Sequence, residues 1–311
     1  MDYSRAARTY AKQKASECEA HSQLPKELYD HYGVKKGLRD RNGRGVLTGL
    51  TNISRIKAFD TKDGELIPCD GELLYRGYDI KDPIKGSEGS GYVFEEGAYL
   101  LLFGELPNAE QLRSFMEVLA QSRELPTNFT RDVIMKAPSA DIMNTMTRSV
   151  LTLASYDDRA TDLSVDNVLR QCIQLISTFP MLAIYGYHAY NHYEKNQSMY
   201  IHRPNPELSA AENILSMLRP DMQFSKLEAR VLDIALLLHM EHGGGNNSTF
   251  TTRVITSSGS DTYSSIGAAL LSLKGAKHGG ANLMVINMMD DIKAHVSDYK
   301  DEDEIEFYLE K

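Results

Sequence analysis

HMEHGGGNNSTFTTRVITSSGSDTYSSIGAALLSLKGAKHGGAN, residues 239–282, places three helix ends within one short stretch. An apolar run ending at Leu238 delivers His239, Glu241 and His242 to its end, where Gly243, Gly244 and Gly245 break it. Ser257, Ser258, Ser260 and Asp261 can cap a second helix, whose small Ala, Gly and Ser positions let a neighbour pack closely. His278 then stands between Gly275 and the pair Gly279–Gly280, just ahead of the apolar LMVINMM. A helix start presents unpaired N–H groups and a partial positive charge. A neutral imidazole placed there is a hydrogen-bond donor aimed where negative charge develops. The same residues also describe an ordinary helix entry.

Working outward, the chain reads as helical almost throughout. FEEGAYLLLFGELPN (94–108) is an apolar helix stopped by Gly104 and Pro107, and Asn108 with Gln111 forms a capping-box pattern that opens the next. Further helices are expected near 140–155, 165–190, 209–218, 225–242 and 262–273. GELIPCDGELLYRGYDI (64–80) carries Asp70-Gly71 between short apolar runs, a hairpin signal. Two strands among eight or more helices give a mainly α fold with a small β-hairpin near the N-terminus. NNSTFTTRVIT (246–256) is ambiguous, since its β-branched residues favour a strand while its Asn/Ser/Thr run favours a capped helix. DEDEIEFYLEK (301–311) starts as a helix, with acids in its first turn and Ile305, Tyr308 and Leu309 on one face.

At 311 residues with 42% apolar and 25% charged side chains, the chain has the composition of a globular protein with a sizeable core. A net charge of −9 argues against nucleic-acid binding. No uninterrupted run of 18 apolar residues suggests a membrane span, and the N-terminus is too polar for a signal peptide. Cys18, Cys69 and Cys172 are few and far apart, which fits a reducing compartment and a cytoplasmic location. Residues 1–56 carry a net +5 and residues 290–311 a net −6, so a basic start could steer an anionic ligand. A solvated arm and a solvated tail is the plainer reading.

His239 and His242 share a helix face and, with Glu241 and His278, could hold zinc. The spacing is H-x-E-H rather than the H-E-x-x-H of zinc proteases, so no metal is expected. No G-x-S-x-G serine motif and no phosphate loop is present. The acids at 298–306 read as a solvated face.

The 239–282 block resembles the central motif block of citrate synthases, including the 2-methylcitrate synthases. LLYRGYDI (73–80), FEEGAYLLLFGELP (94–107) and SAAENILSML (209–218) are similar to family segments in the family's order, so the resemblance runs over about residues 45–311. It implies a citrate synthase-like multi-helix fold: a polar arm over 1–44, a large helical domain over 45–282 and the beginning of a small domain over 283–311. It also implies a homodimer, and a Claisen-type condensation of acetyl-CoA with oxaloacetate that needs no metal or prosthetic group. His278 matches the histidine of the family's H-G-x-A-N motif, which hydrogen-bonds the thioester carbonyl. His242 matches the histidine that contacts oxaloacetate, and Asn246 shapes the same pocket. Past H-G-x-A-N the family carries a G-x-G-H segment, arginines for the oxaloacetate carboxylates and a catalytic aspartate. No counterpart follows in residues 283–311, and His188 in YGYHAY lies upstream, in the wrong order. The chain is therefore expected to be a truncated synthase, inactive alone. The alternatives are a 2-methylcitrate synthase using propionyl-CoA, a non-catalytic dimerising module, and the metal-binding helical protein.

Overall fold

This computed structural model describes residues 51–62, 64–87, 91–241 and 243–310, together with Glu27 and His31. The polar arm expected over 1–44 otherwise lies outside the described residues. The first elements are β1 (Ser54–Lys62) and β2 (Glu65–Tyr75), which pair antiparallel from Ser54 opposite Tyr75 to Lys62 opposite Glu65. A second reversal through Arg76 and Gly77 leads into β3 (Tyr78–Asp79), which completes a three-stranded sheet in the order β1-β2-β3. The hairpin turn expected at Asp70-Gly71 is therefore corrected, because β2 runs straight through it. The turn that forms lies between Lys62 and Glu65, where the sequence holds another Asp-Gly pair. Folding there lets nine-residue β1 pair along an eleven-residue β2, whereas a turn at Asp70-Gly71 would leave only short arms.

The rest of the described chain is helical. In order follow α1 (Lys81–Gly86), α2 (Val93–Phe103), α3 (Ala109–Gln121), α4 (Ile142–Leu153) and α5 (Val165–Lys195). Then come α6 (Ala210–Leu218), α7 (Lys226–Leu238), α8 (Asn247–Ser257), α9 (Thr262–Leu273), α10 (Gly280–His295) and α11 (Glu302–Leu309). The local signals explain most boundaries. α2 ends at Gly104 in the left-handed conformation, φ 91°. Reciprocal capping boxes open α3 (Asn108 with Gln111), α6 (Ser209 with Glu212) and α7 (Ser225 with Glu228). The ambiguous 246–256 stretch is helix, because Asn246 Oδ1 accepts the Ser248 and Thr249 N–H groups. Thr251, Thr252 and Thr256 donate their hydroxyls to carbonyls four residues back, which accommodates them inside the helix.

Packing centres on α5. Leu175, Met181, Leu182, Ile184 and Tyr185 join Val150 of α4, Met217 of α6 and Tyr263 of α9 in the main core cluster. Full burial of a side chain such as Leu182, which has no exposed surface, stabilises by about 1.5–3 kcal/mol. α9 reaches α4 closely because Gly267 has no side chain. A Cβ there would lie 2.9 Å from Leu151 Cδ2. A second cluster joins Tyr75, Val93, Leu100 and Leu237, and so ties β2 to α2 and α7.

By length and average composition, α5 is a helix that could cross a membrane, although its apolar residues form no uninterrupted run. Its buried surface includes Asn167, Gln171, Thr178, His188 and Asn191, and 44% of its apolar window is buried within the chain. Those features match a core helix. His188 is among its buried residues, with Nε2 3.1 Å from the Met217 carbonyl oxygen.

Candidate active site

α7 carries an apolar face into the core through Leu237 and ends at His239. The loop that follows is held to the sheet by side chains remote in sequence. Tyr75, buried at the end of β2, donates its hydroxyl to the Leu237 carbonyl at 2.9 Å, and that oxygen accepts the Glu241 N–H at 3.2 Å. Burial pushes the Tyr75 phenol up from its ordinary value, so it stays a donor at neutral pH. Glu241 Oε1 in turn accepts the Ser54 hydroxyl at 2.9 Å and the Gly243 N–H at 2.6 Å. The loop from His239 to Asn246 is thus fastened at both its carboxylate and its backbone.

α8 begins where this loop ends. Asn246 caps the helix, which commits its Oδ1 to the backbone. Ser248 sits in the first turn, and its Oγ lies 2.9 Å from His278 Nε2. His278 itself is half-buried in the turn between α9 and α10. Its own N–H and that of Gly279 both donate to the Gly275 carbonyl, at 2.9 Å each. Gly279 is needed for close approach: a Cβ on it would fall 2.0 Å from the Leu273 carbonyl oxygen. The turn therefore folds back on the end of α9 and brings the imidazole to the start of α8.

The structure joins His278 to the helix that Asn246 caps. His242 lies outside the described residues. The other two members of the zinc reading are engaged elsewhere. His239 Nδ1 is 2.7 Å from the Ala235 carbonyl oxygen of its own helix, and Glu241 holds the loop. Among the described residues no group of three or more His, Cys, Asp or Glu side chains is placed to hold a metal ion. The sequence reading missed Ser248 and Tyr75. Ser248 is the last residue of a Gly-Asn-Asn-Ser run, read there only as a cap, and nothing local links Tyr75 to a loop 166 residues away.

A hydroxyl on one ring nitrogen fixes how the imidazole presents the other. The turn and the helix start bring the His278 ring and the Ser248 hydroxyl within hydrogen-bond distance.

The family profile described as "Citrate synthase, C-terminal domain" matches residues 38–311. The citrate synthase of Heyndrickxia coagulans is 31% identical, covering 78% of this chain and 61% of its own length. The citrate/2-methylcitrate synthase of Bacillus subtilis is 31% identical, with 82% and 62% covered. Among solved structures, a ternary complex of Thermoplasma acidophilum citrate synthase with carboxymethyl coenzyme A and oxaloacetate superposes with a TM-score of 0.68. That protein is 27% identical, over 84% of this chain and 61% of its own. The chain spans about three fifths of the length of these relatives. The citrate synthase fold is thereby shown, and with a profile match over residues 38–311 the chain belongs to the citrate synthase family.

Proposed function

We propose that this chain carries the thioester-activating part of a citrate synthase site, for the condensation of acetyl-CoA with oxaloacetate to citrate and CoA. His278 donates a hydrogen bond to the thioester carbonyl oxygen as the methyl proton leaves and negative charge gathers there. Ser248 is its positioning residue. With the Ser248 hydroxyl donating to Nε2, the ring proton resides on Nδ1 and is available to the substrate. A donor held for charge that develops later contributes about 2.7–4 kcal/mol. His242 contacts oxaloacetate, and Asn246 shapes the pocket by capping α8. The observation that carries this reading is the 2.9 Å contact between Ser248 and His278, inside the motif block shared with the family.

The proton-abstracting carboxylate and the arginines that hold oxaloacetate have no assigned residue in this chain. Loss of general-base catalysis costs about 10²–10⁴-fold, so the 311-residue chain is inactive alone on this reading. Residues 283–311 are the start of a second, smaller domain, an assignment supported by the absence of any buried residue in α10 and α11. The active assembly is a homodimer, and no metal or prosthetic group takes part. Propionyl-CoA, as in a 2-methylcitrate synthase, is the second substrate reading. It is favoured by relatives of both names at nearly equal identity, 31% for the Heyndrickxia citrate synthase and 32% for 2-methylcitrate synthase 2 of Corynebacterium glutamicum. One methylene discriminates by only about 1–3 kcal/mol.

The test is thiol release from acetyl-CoA with oxaloacetate, by the 311-residue chain beside its His278→Ala variant. No release by either is expected. Release that disappears with His278 would support the histidine's role and overturn the inactivity of the chain alone. Release unaffected by the substitution would overturn the role of His278.

A further inference from the structure

Away from this site, the α2–α6–α7 packing holds a carboxyl group that the proposed chemistry does not use. Glu95, in the first turn of α2, has no exposed surface. Its Oε1 accepts one hydrogen bond, from the N–H of Ala210, the first residue of α6, at 2.7 Å. Its Oε2 is buried with no hydrogen-bond partner. A buried carboxylate with one donor is under-solvated, whereas a neutral carboxylic acid fits the same place at far lower cost.

The charged groups around it offset its burial only in part. On α7, Asp233 is also buried, and both its oxygens are taken by the Val93 and Phe94 N–H groups at the start of α2. Arg230 lies 3.8 Å from Asp233, with Nη2 donating to the Ile84 carbonyl and Ser87 hydroxyl. Arg123, after α3, turns to the Leu208 and Asn205 carbonyls. Glu212 of α6 is occupied in its own capping box, and Glu96 and Tyr92 beside Glu95 add no positive charge. Burial first, then the Asp233 charge, push the Glu95 carboxyl up to about 7, against the lowering effects of the Ala210 N–H and the Arg123 charge. A water-sized cavity lined by Phe94, Arg123, Ala210 and Asn213 adjoins the same helix start, so solvent has a place to enter as α6 loosens.

We propose that Glu95 is a proton-operated latch between α2 and α6: as a neutral acid it holds the start of α6 in the core, and as a carboxylate it loosens that helix. The sign follows from linkage. Once α6 opens, Glu95 faces water and ionises near its ordinary value, below that of the closed state. Opening is therefore favoured as pH rises between the two values and gains nothing further above the higher one. α6 packs on α7, and α7 leads into the loop that ends at Asn246, so the latch bears on the site through one helix.

The experiment is amide hydrogen exchange of residues 210–217 in the full chain and in Glu95→Gln, corrected for the intrinsic exchange rate. In the wild type, opening should rise about tenfold per pH unit from about pH 5 to about pH 7, then level off. In Glu95→Gln, which keeps an acceptor for Ala210 and has no charge, that rise should be absent. His188 meets the other end of α6 through the Met217 carbonyl, and burial pushes it down, so its effect has the opposite sign. The difference between the two proteins isolates Glu95. Infrared spectroscopy of the wild type provides a readout independent of the variant's folding. A neutral buried carboxylic acid band should be present at about pH 6 and gone by about pH 8. Equal slopes in the two proteins, or no neutral-acid band at the lower pH, would overturn the proposal.

Discussion

Removing one oxygen atom from Tyr75 should detach the site loop from the sheet. Tyr75→Phe keeps the ring in its buried place among Val93, Leu100 and Leu237, so packing is preserved and only the hydroxyl is lost. That hydroxyl meets three backbone groups: the Leu237 carbonyl at 2.9 Å, the Glu241 N–H at 3.2 Å and the Glu241 carbonyl at 3.3 Å. The Leu237 carbonyl keeps the Met240 N–H at 3.3 Å, so the group left stranded is the half-buried Glu241 N–H. One lost hydrogen bond is worth about 1 kcal/mol net, and a stranded donor about 1–3 kcal/mol more, which puts the change at about 2–4 kcal/mol. Local opening should then rise about thirty- to eight-hundredfold. The assay is hydrogen exchange at the Glu241 and Gly243 amides, with urea unfolding of both proteins as the global measure. Protection should fall at those two amides and much less in α5. A change below about 0.5 kcal/mol at both amides would refute the view that this hydroxyl anchors the loop.

Gly279→Ala places a methyl group against the Leu273 carbonyl, a backbone atom that cannot rotate away, and should cost about 3 kcal/mol and break the Ser248–His278 contact. Thermal unfolding and the imidazole ¹⁵N signals report the two effects, and an unchanged histidine spectrum would contradict the geometry. Ser248→Ala should alter the tautomer populations of the His278 ring in the same spectra while changing stability by about 1 kcal/mol or less. Asp157, buried against α5, receives hydrogen bonds from Arg170, Gln171 and Tyr263, and these outweigh the effect of burial and hold its carboxyl down at about 2. Its depressed value stabilises the fold above the ordinary carboxylate range, by about 2 kcal/mol, and this is lost as pH falls through the folded value. Asp157→Asn should remove that acid-side dependence from urea midpoints measured across about pH 2–5, and an undiminished slope would show that other carboxylates cause it.

Helices were legible because their signals are local. The Asn108–Gln111 box, the Gly104 stop and the first-turn acids of α11 each lie within four residues of the boundary they set. The hairpin was misplaced for a related reason: two Asp-Gly pairs offered the same turn chemistry, and the choice depends on the length of β1 and on burying Tyr75. The candidate site was partly legible, since glycines around His278 announced a turn and a helix start. What held the histidine was not visible. Ser248 lies 30 residues from His278, Tyr75 lies 166 from Glu241, and Glu95 lies 115 from Ala210. Such pairs are created by packing and leave no periodicity to read.

The turn that carries His278 is continuous with α10, whose stretch from Leu283 to Met289 is apolar but for Asn287. Leu283, Met284 and Ile286 are 61%, 71% and 56% exposed, and no residue of the helix is buried. A 16-residue helix with no packed face is marginal in water. Its persistence is then governed by mass action. Any polypeptide surface that covers it in the folded form raises the population of intact helix with its own concentration. His278 precedes that helix by two residues, so the fraction of molecules with an aligned imidazole is a titratable quantity, set by occupancy some distance along the chain.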